Sequence, residues 1–319
     1  MSSLRKGRAH LRQEPGTRAS GAAAGGAEDH RRRAAFFLRL ENAAAQAMLE
    51  EVFTAPKPGL VDRFDNGAHS DMDVRTFLLS TAAITPFLRE MAELGYHYEG
   101  SAEKLFPLLR RSGGAAEQAM FRATGGVNTH KGAIFTLGLL SASAGRLRRS
   151  TAQLNAAEIL SEAQKIAAPS MKAEFTRMRQ LSKDSPELSH GERLFLLHGE
   201  CGIRGEAAEG FPTLTRHAIP ALRAALSAKL SPDAARLDTL LHILLYLNDT
   251  NILSRGSHRD LLWLREESRR ILSLGGASSE AGMRALKQLN CDCIRKKLSP
   301  GGAADILAAA LFLCALEHI

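Results

Sequence analysis

A chain of 319 residues and 34.5 kDa can bury a sizeable core as one large domain or two small ones. Valine occurs only at Val52, Val61, Val74 and Val127, aromatics make up 5%, and alanine and leucine abound, which argues against a sheet-based fold because strands enrich β-branched and aromatic residues. The net charge of +8 and a pI near 9.6 fit anionic partners such as nucleotides, phosphorylated cofactors or nucleic acid. No apolar run reaches the roughly 18 residues of a membrane span. The N-terminus lacks the apolar core of a secretion signal, so a cytoplasmic protein is expected. Cys201, Cys291, Cys293 and Cys314 show neither a CxxC nor a zinc spacing and read as free thiols.

In chain order, residues 1–33 carry almost no large apolar side chain and are expected to form a disordered basic extension. The remainder, 34–319, reads as a single all-α globular domain. A helix over Ala34–Phe53 places Phe37, Leu40, Ala44, Met48 and Val52 on one face. Pro56-Lys57-Pro58-Gly59 follows, two prolines fixing the backbone around a lysine. Asn66 to Asp73 is polar, and Asp71 and Asp73 would point about 200° apart on a regular helix. They can share a metal only if one lies at an irregular helix entry. Otherwise Ser70 and Asp73 simply form a capping box. A helix runs from about Asp71 to Leu94, with Pro86 inside it and Gly95 as its stop.

Residues 102–123 are predicted as one or two helices, with a break near Gly113-Gly114. Then comes Thr124-Gly-Gly-Val-Asn-Thr-His-Lys-Gly-Ala-Ile-Phe135, a glycine turn, a polar triplet and a lysine opening an apolar helix. Such a helix N-terminus can receive a phosphate, or can be an ordinary capped helix after a turn. Helical patterns follow over 155–182, broken near Pro169, and over His190–His198. The stretch 199–212 combines glycines with Arg204, Glu206 and Glu209, the two glutamates sharing a helical face that suits metal or acid–base work. Pro212–Leu230, Pro232–Leu247, Arg259–Leu274, Ser278–Lys297 and Ala303–Leu316 complete the helices. The polar run Asn248 to His258 follows a strongly apolar helix, which suggests groups presented into a cleft.

The common nucleotide motifs are absent. Gly126 to Lys131-Gly132 is no Walker A loop, and no GxGxxG, kinase, GxSxG or HExxH signature occurs. A nucleotide site here must be all-helical.

Six segments in order carry a resemblance: Pro56–Asp62, Asn66–Asp73, Thr124–Gly132, Arg204–Ala207 with Gly210-Phe211-Pro212, Asp249-Thr250-Asn251 with Arg255-Gly256, and Ser299-Pro300-Gly301-Gly302. Together they resemble the triphosphoribosyl-dephospho-CoA synthase family over about residues 35–319. Ser257 departs from the pattern, standing where a second glycine is expected. The resemblance implies that ATP and 3'-dephospho-CoA are the substrates. The triphosphoribosyl group passes to the acceptor's 2'-hydroxyl and adenine is released. It further implies that the product goes to a transferase acting on an acyl carrier protein, of citrate lyase or malonate decarboxylase. The α linkage of the product against the β linkage of ATP implies one inverting displacement, with acid and base on opposite sides of the ribose.

On that reading Lys57, Arg63, Lys131, Arg204 and Arg255 are expected phosphate cations, and Asn128 and Asn251 orient phosphate or ribose. Asp71, Asp73, Glu206 and Asp249 are expected Mg²⁺ ligands, with Asp71 and Glu206 also candidate bases. His69 and His130 are expected proton donors. Alternatives are a metal-dependent nucleotide N-glycoside hydrolase, or a basic helical binding module. Against nucleic acid as a partner, the charges lie in mixed-sign loops and not along one basic stripe.

Overall fold

The computed structural model describes residues 19–181, 188 and 190–318, with side chains from residue 28 onward except that of His190. Among these, thirteen α-helices and no strand occur. The chain divides into two units, 1–36 and 37–319.

In the first unit, the described residues are the opening turns of α1 (Ala19–Phe53). The helix therefore begins before the expected start at Ala34. The alanines at 19, 22, 23 and 24 are strong helix formers, and Arg32 pairs with Glu28 one turn before it at 2.5 Å. Helix here needs no large apolar face.

The second unit begins with the rest of α1, whose Phe37, Leu40, Ala44, Met48 and Val52 are all buried. α2 (Val74–His97), α3 (Ala102–Thr124), α4 (Lys131–Leu147) and α5 (Ala156–Met178) pack on one another. α2 and α4 cross closely because glycines face backbone. A Cβ on Gly95 would lie 2.0 Å from the Ala142 oxygen, and one on Gly145 would lie 1.9 Å from that of Ala92. The expected break at Gly113-Gly114 does not occur, nor does the one at Pro169: α3 and α5 are continuous. Gly95 does not stop α2 either, since its role is this crossing. Tertiary packing outweighs a local breaker whose cost is about 1 kcal/mol for glycine and about 3 for proline.

α6 (His190–His198), α7 (Gly202–Ala208), a π-turn at Leu214–Ala218, α8 (Ile219–Ser227), α9 (Pro232–Tyr246) and α10 (Thr250–Arg255) follow. α11 (His258–Ser273), a 3₁₀ turn at Gly276–Ser278, α12 (Glu280–Lys296) and α13 (Gly301–Leu316) complete the unit. Ser231 caps α9 through the Ala234 N–H, as its Ser-Pro-Asp sequence predicts. α13 packs against both α4 and α9 and buries residues around most of its circumference. It therefore joins the two halves of the unit, and its first turn stands beside the N-terminus of α4.

Candidate active site

The loop between α1 and α2 is fixed from within. The Asp62 carboxylate accepts the backbone N–H groups of Lys57, Phe64 and Asp65 at 3.0, 2.8 and 3.2 Å. Gly59, at φ +68°, donates its N–H to Asn290 Oδ1 at 2.9 Å, and a Cβ there would strike the Leu298 carbonyl. Val52, Val61 and Met72 form a small apolar cluster beneath the loop, with Val74, Phe77 and Val127 packed on it. All four valines of the chain thus meet at one place, where their stiff side chains pin the 54–73 and 125–130 loops to α1 and α2.

These loops, with the N-termini of α4, α10 and α13, enclose a cavity of about 650 Å³. Its floor is ionic. Lys57, 1% exposed, forms an ion pair with Glu51 of α1. Asp249, 2% exposed, accepts N–H groups from Asn251 and Ile252 through one oxygen and from Ala303 through the other. Gly302 permits that approach, since a Cβ there would stand 3.1 Å from the Asp249 carboxylate. Asp305 keeps some surface open to the cavity but is enclosed by protein. Burial, reinforced by the charges of Glu51 and Asp249, raises its pKa well above the usual carboxylate range, and a hydrogen bond from the Ala133 backbone only partly offsets this. Burial likewise raises that of Asp249 against its backbone hydrogen bonds.

His130 stands over this floor, 4% exposed, with Phe77 edge-on to its ring. Burial and the nearby Lys57 charge bring its pKa down to about 3. At neutral pH it holds no imidazolium proton, which corrects its expected role as a proton donor. Its Nδ1 meets Ser80 Oγ at 2.7 Å, and that hydroxyl accepts from Thr129 Oγ1 at 2.7 Å. The relay has Ser80 donate to Nδ1 and so leaves the ring proton on Nε2. Among the described residues Nε2 has no partner, and the ring lines the cavity. In that tautomer Nε2–H is a neutral donor facing the ligand space.

The rim is cationic and polar. Lys131 opens α4 and pairs with Glu117 at 3.1 Å, while Asn128 Oδ1 accepts the Lys131 N–H at 3.3 Å. Arg255 approaches His69 Nδ1 at 3.4 Å, and His69 Nε2 lies 2.8 Å from Ser299 Oγ. Burial and the Arg255 charge lower the His69 pKa, so it too is disfavoured as an acid. Asp71 is exposed at the mouth, 3.6 Å from His69, and Asn251 and Arg204 also line the cavity.

Three expected site residues lie elsewhere. Arg63 reaches the Phe53 carbonyl and Asp233, each at 2.6 Å, which fastens the loop to α9. Asp73 is the N-cap of α2 and forms a capping box with Thr76, displacing the predicted Ser70 pairing. Glu206 accepts from Thr213 Oγ1 at 2.7 Å and Thr213 N at 3.1 Å; burial raises its pKa, and it closes the 206–213 turn. Ser257, the departure from the family pattern, caps α11 through the Asp260 N–H. Among the described residues no three His, Cys, Asp or Glu side chains converge as a metal shell.

Sequence reading missed Glu51 and Asp305. Asp305 lies in an otherwise apolar helix, where a lone carboxylate was the available signal, whereas Glu51 follows Glu50 and nothing in the local pattern marks it out. At the α4 N-terminus, one backbone N–H, that of Ala133, donates to Asp305.

Comparison with known proteins identifies the family. A family model described as ATP:dephospho-CoA triphosphoribosyl transferase matches residues 37–319. A curated Citrobacter koseri protein, named probable 2-(5''-triphosphoribosyl)-3'-dephosphocoenzyme-A synthase, is 41% identical over 280 residues, covering 86% of this chain and 90% of its own. No solved structure gives a significant match. The match spans the whole second unit and every motif that reaches the cavity: the chain belongs to the ATP:dephospho-CoA triphosphoribosyl transferase family.

Proposed function

We propose that this cavity binds ATP with its triphosphate along the rim and its ribose over the acidic floor, and that transfer to 3'-dephospho-CoA occurs there. As a family member the chain is a transferase making 2'-(5''-triphosphoribosyl)-3'-dephospho-CoA from these two substrates. The observation that carries the placement is convergence. Residues from all six separated motifs, Lys57, His69, Asn128, Arg204, Asn251 and Ser299 among them, line one space.

In the transfer the C1'–N9 bond of ATP breaks, its electron pair leaves with adenine, and the acceptor oxygen takes its place at C1'. Positive charge develops on the ribose, which Glu51 and Asp249 at the floor stabilise. Adenine gains a proton from Asp305, whose pKa is raised by burial and by the charges of Glu51 and Asp249. The acceptor hydroxyl loses its proton to Asp71 at the mouth. Acid at the floor and base at the mouth place the two on opposite sides of the ribose, as inversion requires. His130 Nε2–H donates a hydrogen bond to the bound ribosyl donor. Lys131 and Arg255 face the triphosphate.

The four carboxylates expected for Mg²⁺ do not form one shell, and Asp73, Glu206 and Asp249 already accept from Thr76, Thr213 and backbone N–H groups. The reading that fits is Mg²⁺ carried on the triphosphate as part of the substrate, since this ion keeps waters and phosphate oxygens as ligands. The family resemblance supports passage of the product to a transferase that loads an acyl carrier protein. Incubation with ATP, Mg²⁺ and dephospho-CoA, followed by mass analysis, tests the reading. A triphosphoribosyl mass gain on dephospho-CoA is expected, and unchanged dephospho-CoA would refute it.

A further inference from the structure

The cavity has a second wall, built largely outside the floor and rim residues. α5, α6 and α7 face it with Phe175, Met178, Phe195 and Ile203, the two phenyl rings stacked at 5.1 Å. Three guanidinium groups from three helices lie near one another: Arg204 of α7, which lines the cavity, with Arg110 of α3 and Arg177 of α5 behind it. Burial lowers the Arg110 pKa, and the charges of Arg204 and Arg177 lower it further. Glu174 pairs with this group, meeting Arg110 and, at 3.7 Å, Arg204. Three like charges around one carboxylate repel one another, and a bound anion relieves that repulsion. Arg204 brings this cluster to the ligand space, which Glu192 of α6 and Glu200 also line.

We propose that this wall is the acceptor subsite, the arginines holding the pyrophosphate of 3'-dephospho-CoA and the apolar strip carrying its pantetheine arm. The assignment rests on the transfer reaction proposed above. Donor and acceptor differ in one respect that the wall can read. Both carry an adenosine phosphate, but only the acceptor has a long uncharged arm that needs apolar surface. ATP's reacting ribose must reach the acid at the floor, and its triphosphate has Lys131 and Arg255 at the rim.

Calorimetric titration of the full chain with dephospho-CoA, with phosphopantetheine and with ATP separates the two subsites. Arg110→Gln and Arg177→Gln, both at exposed positions, should each weaken dephospho-CoA and phosphopantetheine about tenfold, the worth of one charge-assisted contact, and ATP less than about twofold. Phe195→Leu should weaken the same two ligands selectively, through the lost ring surface. Retained ATP affinity shows that each variant is folded. Equal weakening of ATP, or unchanged dephospho-CoA binding in both arginine variants, overturns the assignment. Because binding is read without turnover, a wild-type chain that binds all three ligands as described but makes no product would refute the reaction and not the subsite.

Discussion

Among single side chains, Asp305 carries the most chemistry in the proposed transfer. A carboxyl whose pKa is raised well above the usual carboxylate range is suited to giving a proton to departing adenine, whereas an amide at that position cannot give one. Asp305→Asn should therefore cut adenine release at least about a hundredfold while ATP affinity is retained. Near-normal release in that variant would remove the residue from the chemistry. Lys57 makes a different demand. Lys57→Met leaves Glu51 charged and unpaired beneath the cavity, which should cost about 3–5 kcal/mol of stability in urea unfolding. Adding Glu51→Leu should restore most of it. His130 gives a pH signature. Its pKa falls from 6.5 in the open chain to about 3 in the fold, so between those values the unfolded state binds the extra proton. Stability must then rise with pH from about 3 to 6.5 and gain nothing from this group above that. His130→Gln should lose that part of the slope, measured as the difference between variant and wild type so that Asp249 and Asp305 cancel. An identical slope in both would contradict the buried neutral ring.

Helices and their contacts set what the residues can reach. Gly145 and Gly132 are both tightly enclosed, but by different things. A Cβ at Gly145 meets the α2 backbone at Ala92, which cannot move aside, so Gly145→Ala should destabilise by about 1–3 kcal/mol with the cavity chemistry otherwise intact. A Cβ at Gly132 meets the Asp305 carboxylate at 1.9 Å, so Gly132→Ala should depress adenine release more than it depresses the urea midpoint. The two variants ranked the other way would contradict this placement of α13 against α4. The helices themselves were largely legible in the sequence, because alanine, leucine and the 3.6-residue spacing dominate throughout. The interruptions were not. Pro169 and Gly113-Gly114 read as breaks, yet α3 and α5 run through them, since what holds a helix in this fold is its packed face. Glycine at 95 read as a stop for the same reason, although its partner at Ala142 is distant in sequence.

For the whole molecule, chain order hides what the fold assembles. The polar loops announced Lys57, His69, Asn128, Lys131, Asn251 and Arg255, and the fold gathers them around one space. Glu51 and Asp305 join them only through packing of α1 and α13, and Arg63, Asp73 and Glu206, equally prominent in the loops, are turned to fastening and capping. Polar residues near glycine mark where a site can be, but which of them face inward is decided by contacts across the chain. No helix among the described residues is long and apolar enough to cross a membrane. A floor that stabilises a ribosyl cation could serve hydrolysis as well as transfer, so the decisive quantity is the fate of that group. The most direct measurement is the ratio of adenine released to dephospho-CoA consumed, with and without the acceptor. Transfer in this cavity predicts one adenine per dephospho-CoA, and almost none from ATP alone. Adenine released at the same rate without dephospho-CoA would contradict it.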